Sequence, residues 1–303
     1  MKSFGLTLLI LGFVPSVGEA QAIEWMRAYG GIRDDLGSSV QQTSDGGFIV
    51  AGSTRSGGSA DNNIYLLRLT SNGDTLWTRS YGSPFPYDDV CNALVIAPDG
   101  GYVLAGSSTS PEGKDVNVVK TDSNGTIVWN HYYGTYLNDE AFSISLTNDS
   151  GYVLTGYTTE TTSGDVDLYI VRKNARGDTL WTKSIRRPGY DAGYSIIQAR
   201  DGGFFITGTT SGGIFSAASF LRTDSAGNIR WMRLAGGGEG ASARDAVQAN
   251  DGGFVCVWMS YDPYPSLYLS QFDSIGSERR RVIFGSFMSG SAITKTSDGG
   301  YMI

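Results

Sequence analysis

The sequence predicts an all-β fold, a β-propeller of four-stranded antiparallel blades. Three observations lead there. The string "TSDGGFIVAGST" at residues 43–54 returns as "APDGGYVLAGSS", "TNDSGYVLTGYT" and "ARDGGFFITGTT". Its anchors stand at Asp45, Asp99, Asp149, Asp201, Asp251 and Asp298, at intervals of 47 to 54 residues, a period in the propeller range. A second anchor, a Gly with Trp four positions on, ends at Trp77, Trp129, Trp181 and Trp231 with the same period.

Each unit reads as four short strands. Strand a is the apolar stretch before DGG, such as "NALVIAP", and strand b is the run after it, such as "YVLAGSS". Strand c is "NIYLLRLT" or "DLYIVRKN", and strand d carries the Trp and ends in Tyr-Gly, as in "TLWTRSYG". Short β-branched and aromatic runs between Gly, Asn, Asp and Ser clusters are strand and turn signals. DGG is expected to form a tight hairpin of the primed type, because Gly takes positive φ without steric cost. Strand b is apolar on both faces, so it is expected to lie between neighbouring sheets. Its closing Gly, at Gly52, Gly106, Gly156 and Gly208, is expected where sheets crowd. The strand d Trp is read as core, its indole covering the next blade and its N–H on a carbonyl.

The fifth unit departs from the pattern. Arg280 stands where Trp is due, and strand b reads "FVCVWMS", so Trp258 is off register and is expected to fill the gap. The sixth unit stops at Ile303, inside strand b, which gives about six blades, five complete and one partial, with a truncated C-terminus expected. "IEWMRAYGG" from Ile23 is a strand d without a, b or c before it. It is expected to complete the blade that the C-terminus begins, which would remove exposed sheet edges.

Residues 1–22 read as a secretory signal peptide: Lys2, an apolar stretch from Phe4 to Val14, then Ala20-Gln21-Ala22. Cleavage is expected after Ala22, with Ala20 as the alternative, leaving 23–303 as the propeller domain. Export to the medium or the cell surface follows, and no later run is long enough to span a membrane. The 303 residues carry a net charge of −7, with a single histidine and no basic run, which argues against nucleic acid and anionic membrane as partners. Cys91 and Cys256 fall in units two and five, opposite one another in a ring of six, so both are expected to be free thiols of a monomer.

The units resemble a family of secreted bacterial β-propeller repeats written "YGG…DD…S(V/I)…T.DGGY(I/V)(L/V)AG.T", whose members often precede a C-terminal sorting domain for type IX secretion. The resemblance spans Trp25 to Ile303 and is similar to the seven-bladed propeller repeat type. It implies architecture and export, and little about activity. A weaker similarity to quinoprotein repeats rests on Asp122, Gly125 and Trp129, and on Asp224, Gly227 and Trp231. The first spacing is shorter than the docking motif requires, and no quinone cofactor is expected.

Ten residues before the DGG aspartate stands another acid: Asp35, Asp89, Asp139 and Asp191. Ala241 and Met288 replace it in units five and six. These four are the candidate ligand-binding residues, placed in the d-to-a loops around one mouth of the channel. As oxygen ligands they are also the candidate metal site, with calcium the one cation considered. The alternative is that each Asp caps its own turn through backbone N–H groups. A second periodic set, Asp61, Asp115, Asp165 and Asp167, reads as solvated turns before strand c. One histidine, His131, excludes multi-histidine chemistry, and "AGGGEGAS" at 235–242 lacks the Lys-Ser/Thr of a phosphate loop. "SPFPYDD" at 83–89 and "YDPYPSLY" at 261–268 are aromatic rim loops. The leading function is a secreted or cell-surface non-catalytic module that binds protein or glycan. The alternatives are an enzyme at the channel mouth, with paired carboxylates acting on polysaccharide, and a calcium-dependent binding module.

Overall fold

The computed structural model describes residues 25–303 except 57–60, 84, 160–163, 213–214, 237–239, 262–263, 287–289 and 297, together with the backbone of 6–8. The expected signal peptide and its cleavage site therefore lie almost wholly outside the described residues. Leu6–Leu8 (β1) pairs antiparallel with Arg27–Tyr29 (β2).

The described residues are all strand and turn, and they build five four-stranded blades and a partial sixth. Blade 1 is β3 (Asp35–Gln42), β4 (Phe48–Thr54), β5 (Asn63–Leu69) and β6 (Thr75–Tyr81). Blade 2 is β7 (Asp89–Ile96), β8 (Tyr102–Ser110), β9 (Gly113–Thr121) and β10 (Ile127–Tyr133). Blade 3 is β11 (Asp139–Leu146), β12 (Tyr152–Thr158), β13 (Asp167–Lys173) and β14 (Thr179–Ile185). Blade 4 is β15 (Tyr190–Gln198), β16 (Phe204–Gly212), β17 (Phe215–Thr223) and β18 (Ile229–Ala235). Blade 5 is β19 (Ala241–Gln248), β20 (Phe254–Ser260), β21 (Ser266–Phe272) and β22 (Glu278–Ser286). The partial blade pairs β23 (Thr294–Lys295) with β24 (Tyr301–Met302). In every full blade the strands lie in chain order, the up-and-down pattern that consecutive hairpins produce.

The chain forms two compact units. One is residues 1–111 with 117–130, holding β1, β2, blade 1 and most of blade 2; the other is 112–116 with 131–303. Within each unit the first strands of successive blades adjoin, β3 with β7 in one, and β11, β15 and β19 in the other. The b strands are buried along nearly their whole length, as their two-faced apolar runs predict.

The DGG hairpin differs from the primed form. The Gly46 N–H donates to Thr43 O and the Thr43 N–H to Gly47 O, both at 2.9 Å, which closes a three-residue loop with one left-handed residue, Gly46. The turns at Gly100, Gly202 and Gly252 repeat it, and Ser150 takes the left-handed position with φ 64°. The second Gly answers a separate demand: a Cβ on Gly47 would sit 2.3 Å from Leu69 O on strand c.

The Gly that closes strand b also has a different cause from the one expected. A Cβ on Gly52, Gly106, Gly156 or Gly208 would meet a carbonyl of strand a in its own blade at 1.8–1.9 Å. Each lies opposite a β-bulge in strand a, such as the register shift between Gly37 and Ser39, so the crowding is inside the sheet. Blade 5 keeps the bulge but sets Trp258 opposite Ala243, where the other blades have Gly. Trp258 is buried, stacks on Tyr268 at 4.2 Å and donates Nε1–H to Ser270 Oγ at 2.9 Å.

Candidate functional site

The strand d tryptophans and the c–d turn glycines interlock. Gly73, Gly125, Gly227 and Gly276 all have positive φ, and a Cβ on any of them would meet Trp25, Trp77, Trp181 and Trp231 respectively at 2.6–3.0 Å. The glycine in one blade thus receives the indole of the strand d before it. Trp25 and Trp231 donate Nε1–H to Ser71 O (3.3 Å) and Ser274 O (3.1 Å), the packing role expected from the sequence. Tyr29, Tyr81 and Tyr133 add hydroxyl bonds to the carbonyls of Gly73, Gly125 and Gly177. Burial raises the pKa of all three phenols, that of Tyr133 to about 12.

The four candidate acids open strand a rather than sit in the loop before it, Asp35, Asp89 and Asp139 as its first residue and Asp191 as its second. Asp35 accepts from the Gly31 N–H (2.7 Å), Ser56 Oγ (3.0 Å) and Thr54 Oγ1. Asp89, almost fully buried, accepts from the Ser83 N–H (2.7 Å) and Asn117 Nδ2 (3.4 Å). Asp139, also buried, accepts from the Thr135 N–H (2.6 Å) and hydroxyl (3.0 Å), while its Oδ1 has no partner. Asp191 is 2% exposed, and neither of its oxygens meets a partner in good hydrogen-bond geometry. Burial pushes its carboxyl above the ordinary range, against the pull of Thr210 and Arg187.

The second acid set is not uniformly solvated. Asp167 is buried, and burial raises its carboxyl with help from Asp165. Asp115 is raised by burial and by the negative charge of Asp139, and both carboxylates crowd Gly134. Asp167 in turn repels Asp191. The sequence hid this because the two sets lie 24 residues apart and meet only when strand c of one blade faces strand a of the next. Among the described residues no group of three or more His, Cys, Asp or Glu side chains gathers as a metal site.

A further recurring pair had no counterpart in the sequence reading. The DGG aspartate accepts from a cation on strand c of its own blade: Arg68 on Asp45 (2.6 Å), Lys120 on Asp99 (2.9 Å), Arg172 on Asp149 (2.5 Å) and Arg222 on Asp201. The cations are buried and the carboxylates exposed. Hydrogen bonds from Thr43, Arg68 and Gly47 hold the Asp45 carboxyl down at about 2. In blade 5 the cation position is Gln271. Lys173 is a buried singleton: its Nζ lies 3.2 Å from the Tyr133 ring centroid and donates to Thr179 Oγ1 at 2.8 Å. Burial lowers its pKa to about 8.

Cys91 and Cys256 are buried free thiols. In the aromatic rim loops, Phe85 and Tyr264 are exposed and Phe85 lies 5.8 Å from Tyr87, whereas Pro84, Asp262 and Pro263 are outside the described residues. The glycine-rich stretch 235–242 has 237–239 outside them. A cavity of about 790 Å³ lies between blades 4 and 5, beside Trp231 and the Asp201 turn.

These features define a β-propeller. A protein of unknown function from Bacteroides caccae shares the fold with a TM-score of 0.51 at 12% identity, over 90% of each chain. A mutant puromycin hydrolase complexed with PGG gives 0.51 at 14% identity, over 80% of this chain and 38% of that one. The periplasmic gluconolactonase of Pseudomonas aeruginosa gives 0.46 at 12% identity, over 89% and 90%. No protein-family model and no curated protein matches the chain. No helix among the described residues is long and apolar enough to cross a membrane.

Proposed function

We propose that the protein is a secreted or cell-surface binding module, non-catalytic, whose propeller presents loops and blade boundaries to a protein or glycan ligand. The observation that carries this reading is the employment of the periodic acids. Asp35, Asp89 and Asp139 accept backbone N–H groups of their own turns, and the DGG aspartates are held by strand c cations, so both sets serve the repeat itself. Export rests on the pattern of residues 1–22, and the repeat-family resemblance supports it. A type IX sorting domain belongs to that resemblance alone.

A second reading, catalysis, is favoured by the neighbouring carboxyls of Asp167 and Asp191, both raised by burial. One experiment separates the two. The purified protein is offered neutral and acidic polysaccharides, and both retention and product release are followed, with and without a calcium chelator. Retention without turnover, indifferent to the chelator, is expected. Turnover abolished by Asp191→Asn would replace the module reading with the enzyme, and chelator-sensitive retention would replace it with the calcium-dependent module.

A further inference from the structure

The cleft between blades 4 and 5 carries four guanidinium groups, Arg200, Arg222, Arg230 and Arg233, against one carboxylate, Asp201. In a chain of net charge −7 this is a local reversal of sign. Two of the four belong to the repeat framework. Arg222 is buried and donates to Phe204 O (3.0 Å), Thr223 O and Asp201. Arg233 donates Nε–H to Gly276 O at 2.8 Å, and Arg79 and Lys183 occupy its position in blades 1 and 3.

Arg200 and Arg230 are different. One blade earlier their positions are Asn148 and Leu180, so the repeat does not require a cation at either. Both are exposed. The Arg200 side chain donates once, to Asn250 O at 2.9 Å, and Arg230 once, to Asp201 Oδ2 at 2.6 Å. A guanidinium has five N–H donors. Most of the donors on these two therefore remain for a ligand, and Ile275, exposed at the cleft wall, adds an apolar surface.

We infer that this cleft binds an acidic saccharide through its carboxylate or sulfate groups, an inference that rests on the binding-module reading. The guanidinium fork matches an oxyanion with two parallel N–H···O bonds. A peptide would also need main-chain partners, and the bounding turns offer few. The N–H groups of Gly202, Gly203, Gly252, Ile275 and Ser277 are all engaged within their own turns. Recognition is left to side chains, which suits a ring bearing charged groups and a C–H face.

The test is an array of neutral, uronic-acid and sulfated oligosaccharides with acidic peptides alongside, probed with the full chain and with Arg200→Asn/Arg230→Leu. That variant carries the residues of the preceding blade, and its thermal midpoint is compared with the parent. The parent is expected to retain uronic-acid or sulfated oligosaccharides, the two arms identifying the anion. The variant is expected to bind about ten-fold or more weakly at an unchanged midpoint, as loss of charge-assisted hydrogen bonds implies. If the variant's midpoint falls, the parent's salt dependence decides, and binding to acidic saccharides that is insensitive to salt overturns the inference. Retention of neutral glycans or acidic peptides alone, or binding the variant leaves unchanged, overturns the cleft assignment and leaves the module reading intact. Absence of all retention overturns the inference, and turnover overturns the module reading beneath it.

Discussion

Removing the Asp149 carboxylate leaves the Arg172 guanidinium buried with only carbonyls to accept from it. Asp149→Ala is therefore expected to cost about 1–3 kcal/mol of stability, the penalty for an unpaired buried charge at a half-open site. Asp251→Ala, where Gln271 replaces the cation, is expected to cost less than about 1 kcal/mol, and urea unfolding of the two variants checks the difference. The Asp-Gly-Gly turn was legible in the sequence, but this partner was not. Arg68, Lys120, Arg172 and Arg222 recur 21 or 23 residues after their aspartates, and a lone cation in an apolar strand reads as pointing to solvent. Lys173 offers a sharper test because its folded pKa is lowered. Between about 8 and the ordinary 10.5 the unfolded chain binds the proton more tightly, so stability rises with pH across that window. Lys173→Met is expected to gain about 1–2 kcal/mol at pH 7, where the buried charge is present, and to flatten the rise. Thermal unfolding from pH 7 to 10.5 measures both.

Two kinds of turn glycine share a backbone conformation and differ in their surroundings. Gly252 and Gly276 have φ of +87° and +86°, yet a Cβ on Gly252 meets nothing within 4 Å and one on Gly276 lies 2.6 Å from the Trp231 ring. Gly252→Ala is expected to cost about 1 kcal/mol, the left-handed penalty alone. Gly276→Ala is expected to cost about 2–4 kcal/mol, since the indole must also move. Equal losses in chemical denaturation would mean that the interlock does not bear load. At this scale the sequence disclosed strand order and the Gly–Trp spacing. It concealed the bulge in strand a, because an inserted residue disturbs alternation only where one face is polar, and it concealed which glycine serves which tryptophan.

For the whole chain, the repeat gave away the propeller and its blades, while the candidate sites depend on which blade faces which. Arg200 and Arg230 stand out from the repeat as departures, but a one-dimensional pattern cannot show that both open into one cleft. The acid pairs were hidden in the same way, each partner lying in a different blade. The N-terminal strand behaves as a strand d toward blade 1, while its ladder partner among the described residues is β1 and not the partial sixth blade. Trp25 lies edge-on to Phe48 at 5.9 Å and covers Gly73, while Arg27 pairs with Asp74 at 2.5 Å. A chain starting at residue 31 is expected to lose about 2–4 kcal/mol of stability through the lost indole burial, as measured by thermal unfolding against the chain from residue 23.

The Gly–Trp interlock has a consequence for how such a gene can grow. Trp25, Trp77, Trp181 and Trp231 each seat on the glycine of the following blade, so a unit that carries both residues can be cut at any phase. Copying a one-period window that holds both residues, 47 to 54 residues here, supplies a new tryptophan for the downstream glycine and a new glycine for the upstream tryptophan, whereas a window over Arg280 supplies no tryptophan. Unequal crossing-over between repeats that hold both would therefore insert a fully seated blade wherever it broke the chain. Loss of one period would remove a blade as cleanly, and blade number could drift between descendants without any intermediate leaving an indole unseated.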